Sequence, residues 1–378
     1  MCIRDSNITN NTVTGDYLTA TTGAFYGIYS TATAATVNIN NNTVQNLSYS
    51  AATLTGTGAV YPIWNSGAAT TVNANNNTVN NITRTGTTGG TTIGIYISGG
   101  ATQNANGNTI SNMSISGSGT ASTMYGIQTT TGTITVNNNN ISNLQCIKTS
   151  GTGALYGICN FASPTNETIN NNNVNNLTHN GTGIVYGIYH ITITGTRTMS
   201  GNTVHTITGA GTTIAGINNA SSSPSVFRNN VYNISSTSTG TPTVSGIIQG
   251  SLGTSGVAYI YNNFVSDIKA PNASNATAAV RGINITTTTA STNIYLFYNT
   301  VYLDASSSGA NFGTAALFAT ASATATTANL TMRNNIFVNN STANGSGFTV
   351  AYQRSTTDLA NYNSASNNNL FFAGTPSA

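Results

Sequence analysis

Charge is what this chain has least of. Only 4% of its 378 residues are Asp, Glu, Lys or Arg, against about a quarter in an ordinary globular domain. Nine basic and six acidic residues leave a net charge of +3. Binding nucleic acid requires clustered Lys and Arg, so no nucleic-acid partner is expected. No basic amphipathic helix offers itself to a membrane surface. No apolar run approaches the ~18 residues of a transmembrane helix, so no membrane span is expected. Cysteine is almost as scarce, with three in the chain. Cys146 and Cys159 pair only if the fold brings their segments together, and are otherwise two small unpaired residues.

Thr, Asn, Ser, Gly and Ala fill the space that charge and cysteine leave. Composition of this kind leaves low-complexity disorder open, but a regular repeat argues against it. Aligned on the Asn two residues before an apolar position, the copies fall at Asn11, Asn42, Asn77, Asn108, Asn139, Asn172, Asn202, Asn229, Asn262, Asn299, Asn334 and Asn368, spaced 27 to 37 residues apart. The apolar position is filled in every copy, from Val13 and Val44 to Phe264, Val301, Ile336 and Leu370. A further apolar column follows three residues later at Leu47, Ile82, Met113, Leu144, Leu177, Ile207 and Ile234. It then gives way to Asp267, Asp304 and Asn339.

A second motif interleaves with the first. It reads Tyr-Gly-Ile at 26–28, 125–127, 156–158 and 186–188. Looser copies include Tyr61-Pro62-Ile63, Ile93-Gly94-Ile95 and Arg281-Gly282-Ile283. Each unit thus holds three short pieces with apolar residues alternating as in strands, joined by an Asn corner and Gly/Thr/Ser loops. No piece buries its apolar side alone, whereas stacked copies do, strand on equivalent strand. The expected fold is all-β: a right-handed parallel β-helix, or β-solenoid, of about eleven coils of roughly 31 residues. At the usual strand spacing that is a rod ~50 Å long. Stacking sets the corner asparagines above one another. Asn tolerates the left-handed backbone of a sharp corner, and its amide can donate to one neighbour and accept from the other. A structural ladder is therefore expected at Asn42, Asn77, Asn108, Asn139, Asn172, Asn202, Asn229, Asn262, Asn299, Asn334 and their counterparts at either end. From about Tyr295 the sequence becomes more apolar, which reads as the same solenoid with thicker coils.

The opening MCIRDS reads as a translated sequencing adapter, the transposon mosaic end of library preparation, so residues 1–6 are set aside and 7–378 are expected to form a single β-helix domain, a fragment of a longer chain.

Cleavage of a polysaccharide needs two neighbouring acids or a carboxylate-held Ca²⁺. The acids here are six, and none lies in a Tyr-Gly-Ile strand. Asp267 and Asp304 hold equivalent places in the repeat and either bind a cation or are solvated carboxylates beside Lys269. His179, His190 and His205 have no metal-ligand spacing. No catalytic residue, metal site or cofactor is expected, and the chain is not expected to be an enzyme.

The residue after each Tyr-Gly-Ile isoleucine points outward. That column contains Tyr29, Trp64, Tyr96 and Tyr189, with Gln128 and Cys159 between. Aromatic strips bind sugar rings through their C–H faces. The alternative is aromatics packing on one another along a β-face. Thr36, Thr71, Thr135, Thr168 and Thr198 form an approximate outward threonine column, broken at Asn104, which raises an ice-binding surface as a further possibility.

On its Tyr-Gly-Ile copies, its Asn-Thr-Val-x-Asn-Leu copies and the tail NNNLFFAGTPSA, the chain resembles the right-handed β-helix repeat proteins of the pectin-lyase-like superfamily. In particular it is similar to the long Asn/Thr/Gly-rich secreted repeat proteins of the Bacteroidota. The resemblance implies an extracellular or cell-surface location and a structural or adhesive role, with glycans or cell-surface polysaccharide as the partner. The alternative it implies is the non-catalytic portion of a polysaccharide lyase or hydrolase.

Overall fold

The computed structural model describes residues 6–17, 23–49, 58–85, 89–116, 121–321 and 329–374. Of the MCIRDS stretch, residues 1–5 lie outside the described residues, as do the last four of the C-terminal tail. The described elements are all strands, and every strand-to-strand pairing is parallel. Among the described residues no helix is long and apolar enough to cross a membrane. The chain divides into two compact units, Met1–Val185 and Tyr186–Ala378. Each is a right-handed three-sheet parallel β-helix, and together they hold about eleven turns.

One coil of the first unit shows the pattern. Phe25–Ser30 lies in the Tyr-Gly-Ile sheet, Thr36–Asn40 in a pre-ladder sheet and Thr43–Tyr49 in a post-ladder sheet. The next coil repeats it with Val60–Asn65, Thr71–Asn73 and Thr78–Thr85, each paired to its predecessor in register. The second unit does the same, from Thr196–Ser200 to Asn329–Arg333 in its pre-ladder sheet. Strands near Tyr295 continue the stack, as the sequence predicts. Alternation explains the pre-ladder strands: Val37 and Ile39 are buried while Thr36, Asn38 and Asn40 face outward.

The other two sheets break strict alternation, each for a physical reason. In the post-ladder strands a left-handed residue lies between the two inward ones: Asn46, Asn81, Asn112, Asn143 and Asn176 in the first unit, Thr206, Asn233 and Asp267 in the second. This extra residue explains why Val44 and Leu47, three apart, both reach the core. It also corrects the expectation that the inward column fails after Ile234. The column continues at Ile268, with Asp267 as the kink residue. From Thr300–Leu303 onward the kink is absent, so the inward place falls one residue earlier, at Leu303 and Asn339. Asn339 is buried, and its amide donates to Thr314 Oγ1 at 2.9 Å. Asp267 and Asp304 are therefore not equivalent: Val265 pairs with Val301 and Ser266 with Tyr302.

In the Tyr-Gly-Ile strands two successive residues, Gly and Ile, turn inward. A Cβ on Gly246 would stand 2.3 Å from Val265 Cγ1 and 2.8 Å from Gly282 O. Only glycine fits that space without movement of its neighbours. The doubled inward step places residues three apart, such as Tyr26 and Tyr29, on one outer face.

The ladder forms in both units. Asn77 is typical: its Oδ1 accepts from the backbone N–H (3.0 Å) and amide (3.1 Å) of Asn42, and its amide donates to Asn108 Oδ1 at 3.1 Å and Ile39 O at 2.7 Å. Asn11, Asn42, Asn108, Asn139 and Asn172 join it in the first unit, Asn202, Asn229 and Asn299 in the second. Three ladder positions need correction. Between Asn229 and Asn299 the ladder residue is Asn263, not Asn262, and it continues at Asn335 and Asn369, not Asn334 and Asn368. The misplacement has one cause: Phe264 and Ile336 are apolar but outward, and Val265 and Phe337 are the core residues. The left-handed backbone also belongs to the residue before the ladder Asn, at Asn41 (φ 57°), Asn76 (φ 55°), Asn262 (φ 53°) and Asn334 (φ 56°). The ladder asparagine itself is held by hydrogen bonds, and its predecessor turns the corner.

Cys146 and Cys159 are both buried and unpaired. They sit in different sheets, at the end of Asn140–Cys146 and within Leu155–Asn160. Burial pushes the Cys146 thiol up to about 12, and raises that of Cys159 well above its ordinary value. Thiolate is the reactive form. A Cys2→Ser variant is thus expected to show no thiol reactive towards a disulfide reagent at pH 8 when folded and two when denatured. Zero in denaturant would mean that the two are bridged.

Candidate functional site

The doubled inward step builds an aromatic cluster on the outer face of the Tyr-Gly-Ile sheet in the first unit. Tyr29 and Trp64 are register partners, as are Trp64 and Tyr96. Tyr26 and Tyr61 occupy the neighbouring column. Ring centroids lie 4.7 Å apart for Tyr29–Trp64, 5.8 Å for Trp64–Tyr96, 5.6 Å for Tyr26–Tyr61 and 5.3 Å for Tyr26–Trp64. Rings lying side by side in one plane cannot bring their centroids as close as the shorter of these distances, so the cluster is a stack with overlapping faces. The most exposed rings are Tyr26 and Tyr29, at 39% and 44%.

Polar groups edge the cluster. Trp64 Nε1–H donates to Ser98 Oγ at 2.8 Å, and Ser66 Oγ–H donates to the Tyr29 hydroxyl at 3.0 Å. The Tyr61 hydroxyl has its pKa raised by burial first, then by Tyr96 and Tyr26. Burial raises that of Tyr96 against a hydrogen bond with Ser98. Burial thus opposes ionisation of Tyr61 and Tyr96, and the cluster offers apolar ring surface edged by hydroxyls, a combination suited to a neutral polar ligand.

The structure thus brings together Tyr29, Trp64 and Tyr96 and adds Tyr26 and Tyr61, which simple alternation assigns to no surface column. The signal for Tyr26 was in the sequence: a Gly that must point inward before an inward Ile forces the preceding Tyr outward. At Tyr61 the buried Pro62 takes the glycine's place, and Tyr61 follows as the register partner of Tyr26. The column then changes character, since Gln128 pairs with Tyr96 and Cys159 with Gln128. Tyr125 and Tyr156 stack at 5.1 Å, with Phe161 edge-on to both. Tyr189 belongs to the second unit, where it stacks on Tyr186 at 4.5 Å.

The remaining candidates are dispersed. The N–H of Gly181 donates to His179 Nδ1 at 3.0 Å, His190 accepts from the buried Arg197 guanidinium, and His205 stacks on Tyr232 at 4.7 Å. Glu167 is buried and accepts from the Asn160 amide at 3.2 Å. Asp267 pairs with Lys269 at 2.6 Å. Among the described residues no three His, Cys, Asp or Glu side chains form a group able to hold a metal ion. The threonine column is also redrawn. Thr36, Thr71, Thr102 and Thr133 align, whereas Thr135 and Thr168 align with Asn104 in the next column. The reason is an offset of two residues, which preserves facing but changes column.

No protein-family model matches the chain, and neither a curated protein nor a solved structure does.

Proposed function

We propose that the chain is an extracellular or cell-surface β-helix segment with a structural and adhesive role, allied to the pectin-lyase-like repeat proteins, and that it holds glycans through the cluster of Tyr26, Tyr29, Tyr61, Trp64 and Tyr96. One observation carries the reading: five aromatic rings gather on an outer β-face with serine hydroxyls at their edge. A pyranose offers the matching surface, an apolar C–H face bordered by hydroxyls. A scarcely charged surface suits this role, because a neutral glycan needs no ion pair.

The ice-binding alternative would need the outward amides and hydroxyls of the pre-ladder sheet to face water. The amides of that sheet instead bond to one another, Asn73 to Asn38 and Asn104 to Asn73, both at 2.8 Å. The second alternative, the non-catalytic portion of a polysaccharide lyase or hydrolase, needs no acids on this segment, and the same aromatic cluster would serve it by holding the substrate chain.

The test is binding to a broad glycan array by the wild type and by a Tyr29/Trp64/Tyr96 triple alanine variant checked for fold by circular dichroism. At least a tenfold loss of binding by the folded variant is expected. Failure of the wild type to bind any glycan would leave the structural rod without the adhesive role.

A further inference from the structure

The outer face of the pre-ladder sheet differs between the two units. Four residues before the ladder Asn, the first unit carries Asn38, Asn73, Asn104, Thr135 and Thr168; two residues before, it carries Asn40, Asn75, Asn106, Asn137 and Asn170. At the same places the second unit carries Ser225, Tyr259 and Tyr295, then Phe227, Tyr261 and Phe297. At the left-handed corner it carries Arg228, Asn262 and Tyr298. The coil does not require rings here, since the first unit builds the same sheet without them. Tyr259 and Tyr298 are 43% and 59% exposed.

The two ring columns differ in length. Phe227 and Tyr261 stack nearly parallel, 4.6 Å apart. Beside them Tyr259 stacks on Tyr295 at 5.1 Å, but its register partner on the other side is Ser225. A serine leaves open the place where the next ring of the column would sit. A notch of about 410 Å³ runs from Ser225 past Tyr259, Tyr261 and Asn262 to Phe297 and Tyr298. Ser225 and Asn262 both line it, and the side chain of neither makes a hydrogen bond among the described residues.

We propose that this notch is a second carbohydrate-binding site, in which one pyranose of a neutral glycan occupies the missing ring position on the open face of Tyr259. The C–H face of the sugar continues the stack, and its hydroxyls meet Ser225 and Asn262. An apolar side chain in the same place would cover that hydroxyl and amide without pairing them, which opposes it. No carboxylate lines the notch to favour a cationic ligand. This site lies in a different unit and a different sheet from the Trp64 cluster and does not rest on it.

The two are separable because Trp64 is the only tryptophan. Its fluorescence reports the first cluster, whereas saturation-transfer NMR reports binding anywhere on the chain. The probes are cellohexaose, mannohexaose and chitohexaose with the full chain. In a Trp64→Ala background, at least one is expected to retain saturation transfer, and Ser225→Tyr, which fills the notch with a ring, is expected to weaken it at least tenfold. Ser225→Ala keeps the notch open and is expected to stay within about threefold. Tyr259→Ala removes the stacking surface without filling the space and gives a second reading should Ser225→Tyr not fold. The proposal is overturned if no probe binds in the Trp64→Ala background, or if binding survives both Ser225→Tyr and Tyr259→Ala undiminished. Loss of Trp64 fluorescence response with retained saturation transfer would instead remove the first site and keep the second.

Discussion

Asn139→Val is expected to destabilise the fold by about 4 kcal/mol, near the upper end for one substitution. The side chain makes four hydrogen bonds. Its Oδ1 accepts the backbone N–H and the amide of Asn108, both at 2.9 Å. Its amide donates to Ala105 O and to Asn172 Oδ1, both at 2.8 Å. Valine removes all four. Asn172 Oδ1 keeps the backbone N–H of residue 139 at 2.9 Å, but the Asn108 N–H, one Asn108 amide hydrogen and the Ala105 carbonyl lose these partners in the interior. Each such loss costs about 1–3 kcal/mol. Asn73→Ala, in the outward column, exposes its partners to water and is expected to cost under about 1 kcal/mol. Denaturant midpoints at unchanged slope measure both. A loss below about 1 kcal/mol for Asn139→Val would show that the corner does not depend on its amide.

Gly183→Ala is expected to cost about 3 kcal/mol. The Gly-Thr-Gly loops of successive coils lie directly on one another, 181–183 upon 151–153. A Cβ at residue 183 would be placed 1.5 Å from Gly153 O and 2.7 Å from His179 Nε2. The first of these is backbone and cannot rotate away, so two coils must separate locally. The spacing they would lose is the spacing of the sheets themselves. Gly240→Ala is the control: its added Cβ would meet only Ser238 Oγ, at 3.6 Å. It is expected to fall within about 0.5 kcal/mol of the wild type. Equal effects for the two would refute the close-stacking account.

The architecture was legible because it is written twelve times. Asn42 and Val44 recur with Asn77 and Val79, and a structure that stacks copies makes every copy a check on the others. Legibility failed in the coils that carry a competing signal, at Phe264, Ile336 and Leu370. Phe264 is apolar, follows two asparagines and faces outward, so it drew the frame one residue off and hid Asn263 behind Asn262. The aromatic cluster was half legible. Trp64 and Tyr96 follow from alternation, whereas Tyr26 and Tyr61 require knowing that Gly and Ile both turn inward. The notch at Tyr259 was not legible, because it depends on which residue of the neighbouring coil stands beside that ring. Ser225 is 34 residues away by sequence position, and only the register joins them.

The ladder has an electrical consequence as well as a structural one. In the first unit the side-chain carbonyls of Asn42, Asn77, Asn108, Asn139 and Asn172 each accept from the coil before. Their dipoles therefore point the same way and add, as peptide dipoles add along a helix. Each bond polarises the next, so a bond in the interior of the row is stronger than one at its margin. The backbone bonds of a sheet largely cancel; this row does not. The first unit, with almost no formal charge, thus carries a directional field along its ladder, negative towards its earlier coils and positive towards its later ones.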